Sequence, residues 1–372
     1  MFPHRLALRA FCLTVLALFF SGAPTAAQAE QDKALKYHKV LVKRPDPGYL
    51  FDRFYNTWLD QGTVEELGEF LAEQVNENDR TADKLLLAFF HAKQGSEVRA
   101  LELLTLATKA DPKNALAWFL KAESEARTLA FDTAIADLER AKTANADGKL
   151  ATEIAKLQGK LYVRNRQTAE ALKVWQQLLK ENADDEDLHE DIIELQIQEG
   201  LYEEAATQLA ELINQTDDKY KQVLRKIRSG DVLQRAGKRS EATTVYADTL
   251  EQVGHGTWLE REILAQIEEL YRREDDLTGL QEQYEKLLEL YPRRVQVHMQ
   301  FAKLLVETGD NESAQERMAK VLELTPGDRD NTEAYISLLA NMGNLNDAIK
   351  AIGLLIDQHP KDGELHLRLA AL

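Results

Sequence analysis

Residues 292–326 read PRRVQVHMQFAKLLVETGDNESAQERMAKVLELTP. Apolar side chains recur here at helical spacing: first Val295, Val297, Met299, Phe301, Ala302, Leu304 and Leu305, then Ala314, Met318, Val321 and Leu322. Ala314, Met318 and Leu322 fall four apart and so share one helix face. Thr308-Gly309-Asp310 separates the two runs. A glycine there can take the left-handed conformation that ends a helix, with no Cβ strain. Pro292 and Pro326 bound the stretch. A proline has no N–H, and its ring clashes with the carbonyl four residues back, so each marks a junction between helices, not a kink. The spacing predicts one helical hairpin.

The same markers recur outward along the chain. Gly95…Ala100, Gly200…Ala205, Gly237…Ala242 and Gly343…Ala348 repeat the pattern Gly309…Ala314. Weaker versions stand at Gly62…Leu67, Leu129…Ala134, Arg166…Ala171 and Asp275…Leu280. The second markers fall at 67, 100, 134, 171, 205, 242, 280, 314 and 348, in steps of 33, 34, 37, 34, 37, 38, 34 and 34. Twelve residues later come Pro112, Pro292, Pro326 and Pro360. Four residues after each second marker the side chain is apolar: Leu71, Leu104, Leu138, Trp175, Leu209, Tyr246, Tyr284, Met318 and Ile352. Twelve residues before it the side chain is usually small, as at Ala88, Ala122, Gly159, Gly230 and Ala302. Tyr55, Ile193, Glu268 and Ile336 break that rule. Small residues facing each other let two helices cross closely, with the larger row filling the groove beside them. One such hairpin cannot bury its own apolar face; stacking on the next supplies the missing surface. The expected fold is all-α, an α–α superhelix (solenoid) of about nine hairpins.

These units resemble the tetratricopeptide repeat. That family's 34-residue helical pair has small residues at its eighth and twentieth places. It has Gly near the fifteenth, an apolar or aromatic residue at the twenty-fourth and Pro at the thirty-second. Asn114 to Phe119 followed by Ala122, Ala134, Leu138 and Ala141 is similar to it, as are Gly309, Ala314 and Pro326, and Gly343, Ala348 and Pro360. The resemblance covers roughly residues 47–360. It departs at Asn165-Arg166, where the turn glycine is missing, and at Leu280, which replaces the small residue.

The first thirty residues belong to a different kind of signal. His4, Arg5 and Arg9 precede an apolar run from Ala10 to Phe20, which Ser21, Gly22 and Pro24 interrupt. Ala27-Gln28-Ala29 then offers a small-x-small cleavage site. The run is short for a membrane span. Residues 1–29 are therefore expected to be a cleaved signal peptide, the alternative being an uncleaved N-terminal anchor helix. The lone cysteine, Cys12, lies inside that run, so a mature chain would have no disulfide. Export to a bacterial periplasm or cell exterior is the expected location. Stable membrane insertion is not expected after cleavage.

Residues 30–47 read as an N-terminal cap and entry segment, with Tyr37, Val40, Leu41 and Val42 ahead of Pro45 and Pro47. The array itself is expected over 48–360. Its long steps place extra residues near Asn145 to Gly148, Gln215 to Asp218 and Gly254 to Thr257, with junction kinks expected near 147, 217 and 255. The first unit carries Tyr49, Phe51, Phe54, Tyr55 and Trp58. Packing against the cap accounts for this aromatic load; an exposed patch for a partner is the alternative. Residues 361–372 start a further repeat or form a cap helix, with Leu365, Leu367, Leu369 and Leu372 apolar. A longer protein continuing past Leu372 is expected, the alternative being that this helix is itself the cap.

Chemistry is sparse. The eight histidines have no ligand-spaced His or Cys partner, and no metal, phosphate-loop, dinucleotide or nucleophile motif occurs. No catalytic residue, cofactor or metal site is expected. The acidic runs Asp184 to Asp187 and Glu274 to Asp276 read as solvated surface at helix starts. A net charge of −17 repels phosphate backbones and anionic headgroups, which argues against nucleic acid and lipid surfaces. What remains is a binding surface. The resemblance implies a concave groove lined by the first helices, holding an extended peptide or a partner helix. Some relatives grip a C-terminal carboxylate with a Lys and an Asn four apart; at those places stand Leu85 and Phe89, Phe119 and Glu123, Lys156 and Lys160, and Met299 and Lys303. The expected groove contacts are Leu85, Phe89, Leu116 and Phe119 as an apolar floor, with Lys156 and Lys160 for an acidic group. Core packing is the competing role for these residues. The expected function is a non-catalytic protein–protein interaction scaffold of the cell envelope. The alternatives are the N-terminal repeat region of a longer enzyme or transport-associated protein whose active domain follows Leu372, and a spacer that self-associates.

Overall fold

The computed structural model describes residues 26–372, and every regular element among them is an α-helix. Most of the expected leader lies outside the described residues; only residues 26–29 fall within them, at the start of α1. The chain divides into two compact units at residue 178, inside a helix.

Unit 1 contains α1 (Ala26–Lys43), α2 (Tyr49–Leu59), α3 (Val64–Asn78), α4 (Thr81–Lys93) and α5 (Glu97–Ala110). It continues through α6 (Ala115–Arg127), α7 (Phe131–Ala144), α8 (Ala151–Arg164) and most of α9 (Thr168–Glu181). Unit 2 contains α10 (Glu186–Gln198), α11 (Tyr202–Gln215), α12 (Lys219–Arg235), α13 (Arg239–Leu250), α14 (Trp258–Arg272) and α15 (Leu277–Leu290). It ends with α16 (Val295–Glu307), α17 (Asn311–Leu324), α18 (Arg329–Asn341), α19 (Leu345–Gln358) and α20 (Gly363–Ala371). Short connectors make successive helices neighbours, and within each unit the hairpins stack in chain order.

The residue rows account for the packing. Leu67, Ala100, Ala134, Ala171, Ala205, Ala242, Leu280, Ala314 and Ala348 are each 0% exposed. The apolar row four residues on is buried along its whole length, from Leu71 to Ile352. Each buried leucine of that row contributes roughly 2 kcal/mol by removal of apolar surface from water. The boundary prolines directly follow the last residue of a second helix and its cap: Asp111 before Pro112, Tyr291 before Pro292, Thr325 before Pro326, His359 before Pro360.

The hairpin turns share one hydrogen-bond pattern. In the Gly95 turn, the Ser96 N–H donates to the His91 carbonyl at 2.8 Å and the Gly95 N–H to Ala92 at 3.0 Å. This is the Schellman closure, which requires a left-handed residue just after the helix. Gly95 has φ +71° and Gly309 has φ +87°. Where the glycine is missing, the geometry is kept: Leu129, Arg166 and Asp275 have φ of 63°, 60° and 55°. The matching bonds run from Ala130 to Glu125 at 3.0 Å, from Gln167 to Tyr162 at 2.8 Å and from Asp276 to Tyr271 at 3.0 Å.

The first hairpin differs. Gly62 is not left-handed, and its turn is closed by a capping box in which the Thr63 N–H donates to Glu66 at 2.8 Å and the Glu66 N–H to Thr63 Oγ1 at 3.2 Å. With the Schellman closure absent, α2 packs mainly on α1 and only lightly on α3. Phe51, Phe54 and Tyr55 are consequently buried in one core with Ala34 and Leu41 of α1 and Leu85, Ala88 and Phe89 of α4. The aromatic load is a packing feature, and only Tyr49 of the five is exposed.

The extra residues of the long steps are accommodated in two ways. Residues 145–150 and 251–257 form longer junctions. Those expected at 215–218 instead lengthen α12, which begins at Lys219 and runs 17 residues, because Asp218 caps it one turn early by accepting from the Tyr220 and Lys221 N–H groups. The 251–257 junction is fastened from one repeat away. Arg294, 4% exposed, donates to the carbonyls of Leu250 and Val253 and pairs with Glu260, 1% exposed, at 3.1 Å.

A further recurrent contact closes the start of a first helix onto the proline just before it. Trp118 Nε1 donates to the Pro112 carbonyl at 3.0 Å, His298 Nε2 contacts the Pro292 carbonyl at 3.0 Å, and His366 Nε2 contacts the Pro360 carbonyl at 3.2 Å. Two of the scattered histidines therefore act as caps on junction carbonyls.

Candidate functional site

In unit 2 the neighbouring first helices α10 and α12 are tied by charge. Arg225 pairs with Glu186 and Glu190, and Arg228 with Glu190 and Glu194. One repeat period separates these partners, as it does Arg272 and Glu307 of α14 and α16, joined at 2.6 Å. The acidic runs prove to be caps: Asp185 accepts from the Leu188 N–H at 3.0 Å and Asp276 from the Gly279 N–H at 2.9 Å. Among the described residues no group of three or more His, Cys, Asp or Glu side chains could hold a metal ion.

Unit 1 differs. A cavity of about 330 Å³ opens between α2, α4, α5 and α6. Its floor is apolar: Phe51, Ala88, Phe89, Leu104 and Leu120. Phe51 and Phe89 meet edge to face at 5.5 Å, an arrangement favoured by the ring quadrupoles. The wall carries five charged side chains, Asp52, Lys93, Glu97, Glu123 and Arg127. Four of them pair off. Lys93 Nζ is 2.6 Å from Asp52 and 5.0 Å from the centre of the Tyr55 ring. Arg127 Nε is 2.9 Å from Glu97, whose other oxygen accepts from Ser124 Oγ at 3.2 Å. Glu123 is left over, with neither hydrogen bond nor ion pair among the described residues. Burial pushes its carboxyl above the ordinary carboxylate range, and the nearby positive charge of Arg127 only partly opposes this.

Helix periodicity explains the assembly. Leu85, Phe89 and Lys93 fall at a four-residue stride along α4, and Phe119, Glu123 and Arg127 do the same along α6. Of these stripes, Phe89 and Lys93 on α4 and Glu123 and Arg127 on α6 line the cavity.

The residues expected at the groove are placed unequally. Phe89 lines the cavity. Leu85 is 0% exposed and belongs to the core, so it forms no part of an accessible floor. Leu116 is half-buried and lines a second hollow of about 700 Å³ at the junction end, beside Arg44, Lys113 and Asn145. Phe119 is half-buried against two core clusters. Lys156 and Lys160 are half-buried on α8 and line neither cavity. Lys93 and Arg127 were not anticipated, although one more step of the same stride past Phe89 and Glu123 reaches both. Phe51 belongs to the aromatic terminal unit expected from the sequence, and Asp52 has no expected role there.

Two tetratricopeptide-repeat family models match the chain, over residues 93–149 and 162–227. No curated protein sequence matches it. Among solved structures it is similar to the C-terminal part of a TPR repeat-containing protein from Cytophaga hutchinsonii. That pair is 16% identical over 66% of this chain and 97% of the other, with a TM-score of 0.37. It is also similar to a tetratricopeptide repeat protein from Parabacteroides merdae, 15% identical over 70% of this chain and 98% of the other, with a TM-score of 0.37. A third likeness is to the Cut9–Hcn1 hetero-tetramer of the APC/C, at 12% identity and a TM-score of 0.36. It covers 83% of this chain but only 52% of the other, so the chain spans about half the length of that relative.

Proposed function

We propose that this tetratricopeptide-repeat protein is a non-catalytic interaction scaffold that binds a segment of a partner protein in the groove of unit 1. The observation that carries the reading is the cavity between α2, α4, α5 and α6. It combines an apolar floor with a charged rim, the composition of a peptide-binding cleft. In unit 2 the facing charges of α10 and α12 are paired with each other, whereas the unit 1 cavity keeps one carboxylate, Glu123, outside its pairs. Capture of a stoichiometric partner by the full chain, followed by hydrogen exchange of the complex, tests this. Protection should concentrate in α2, α4 and α6. Protection confined to unit 2 removes the groove assignment.

We also propose that the protein works in the cell envelope after export. The support is the basic start, apolar run and Ala27-Gln28-Ala29 of the sequence. Among the described residues no helix is long and apolar enough to cross a membrane. Cleavage after Ala29 would remove only the first turn of α1, ahead of its buried Ala34 and Leu41. N-terminal sequencing of the protein from its native host should read Glu30 first; a start at Met1 sinks the proposal.

A further inference from the structure

We infer that the groove of unit 1 selects partner segments that present a lysine or arginine side chain, and that Glu123 is the residue that receives it. The inference rests on the groove reading above and adds the chemistry of the partner.

Asp52 is committed to Lys93 and Glu97 to Arg127 and Ser124. These pairs are internally neutral, so neither needs a ligand. Glu123 alone brings a carboxylate to the wall without a partner. A carboxylate withdrawn from water and left unpaired is costly, and a cation that enters beside it recovers an interaction that water no longer supplies. The rest of the cavity suits the stem of such a side chain. Phe51, Phe89 and Leu120 give an apolar surface for methylene groups, and an aromatic face also attracts ammonium or guanidinium. The volume, about 330 Å³, accommodates one long side chain. An acidic or purely apolar side chain would leave Glu123 either repelled or sealed off unpaired. The chain's net charge of −17 favours the same class of partner, because it draws basic segments in from a distance.

A degenerate short-peptide library, passed over the immobilised full chain, tests this directly. Retained peptides should be enriched in Lys or Arg at one position. Glu123→Gln, which keeps the shape and removes the charge, should weaken the basic peptides by roughly ten- to a hundredfold, the range of a charge-assisted hydrogen bond. Peptides in which norleucine replaces the lysine should lose a similar factor and become indifferent to Glu123→Gln. Retention without basic enrichment, or enrichment that survives Glu123→Gln unchanged, overturns the inference and leaves the groove as a binding site. Retention of no peptide at all overturns both.

Discussion

The indole nitrogen of Trp175 lies over Gly159 so closely that a Cβ on the glycine would stand 2.2 Å from it. Tyr246 covers Gly230 in the same way, at 2.3 Å. In other repeats the same two places hold Ala122 with Leu138 and Ala302 with Met318. Volume is traded across these two hairpins: Trp175 and Tyr246 stand over residues with no side chain at all, while Tyr284, at the same place opposite Glu268, does not follow the trade. Gly159→Ala should therefore destabilise the fold by about 1–3 kcal/mol through overpacking, although the same change in an open helix would gain roughly 0.5–1 kcal/mol. The ring cannot swing aside, because it is fully buried and Nε1 donates to the Lys156 carbonyl at 3.4 Å. Adding Trp175→Leu should recover much of the loss, giving a coupling of about 0.5–3 kcal/mol in a double-mutant cycle. Urea unfolding midpoints measure all four corners. Independent, additive effects would show that the two sites do not share space.

Three turns hold an ordinary side chain where glycine is favoured. Leu129, Arg166 and Asp275 are left-handed, a conformation that costs an L-residue about 1–2 kcal/mol. Part of the gain from glycine is lost to its greater freedom in the unfolded chain. Leu129→Gly and Arg166→Gly should each stabilise by roughly 0.5–1 kcal/mol, with Asp275→Gly gaining less because Asp tolerates this region. The reverse change, Gly95→Ala, should destabilise by about 1 kcal/mol, and purely through the backbone, since nothing lies within 4 Å of a Cβ there. Thermal midpoints across the set should order by the residue type that holds the left-handed position, not by burial.

Arg294 and Glu260 test whether a junction insertion needs its own anchor. Both are buried, and Arg294 also satisfies two carbonyls of the 251–257 junction. Arg294→Met should cost about 3–5 kcal/mol, because it leaves Glu260 charged and unpaired and the carbonyls bare. Arg294→Met combined with Glu260→Gln should recover part of this. If the single change costs no more than an exposed pair such as Lys173–Glu170, the anchor is dispensable.

The repeat was legible because its packing is local and in register. A small residue, a knob four residues on and a proline twelve on each answer to a fixed contact inside one hairpin. The left-handed turns at Leu129, Arg166 and Asp275 kept that register even without glycine, so spacing found them where residue type did not. The long step before Ala242 was legible as a length, but its position was not. Gln215 to Asp218 has a turn-like composition, yet Asp218 caps α12 early and converts the surplus into helix. The site was legible only in part. Phe89 and Glu123 fall on the groove stripe, but separating Leu85 from Phe89 needed the packing of α1 against α4, which joins Leu85 to one core with Ala34 and Leu41. That contact is a tertiary outcome with no local signature.

Acid should weaken unit 1 through His38. Its ring lies buried between Phe54 and Phe70, with Nε2 lacking a partner. Burial lowers its pKa below the ordinary 6.5, with Asp83 opposing and Arg80 adding to the shift. A histidine held neutral in the fold binds fewer protons there than in the unfolded chain. Its stability is complete above pH 6.5 and is lost as pH falls from there towards the folded value. Burial lowers His298 in unit 2 as well, aided by Arg317 and Lys320, so the loss has the same sign there. Unfolding midpoints between pH 7.5 and 5 should fall, and His38→Phe should remove its share of that slope in unit 1, where burial lowers His91 as well. An unchanged slope in the variant would assign the acid sensitivity elsewhere.

Glu123 should be a residue at which the free protein gives up stability. Its carboxyl is held above the usual range because the fold withdraws it from water without supplying a partner. For an acid with a raised pKa the sign is opposite to that of a salt-bridged carboxylate. The fold is penalised above the folded pKa and relieved as the group protonates. Glu123→Gln and Glu123→Leu should therefore raise the unfolding midpoint of the unliganded protein near neutral pH, by less than about 1 kcal/mol because the side chain keeps some contact with water. The gain should shrink as pH falls through the carboxylate range, where the parent's own protonation supplies the same relief. Replacing the paired Glu97 by Gln should do the reverse and cost stability by less than about 1 kcal/mol, since it removes a partly exposed ion pair with Arg127. A Glu123→Gln protein less stable than the parent at neutral pH would mean that the carboxylate has a partner within the fold, and the groove would then have no charge left to offer.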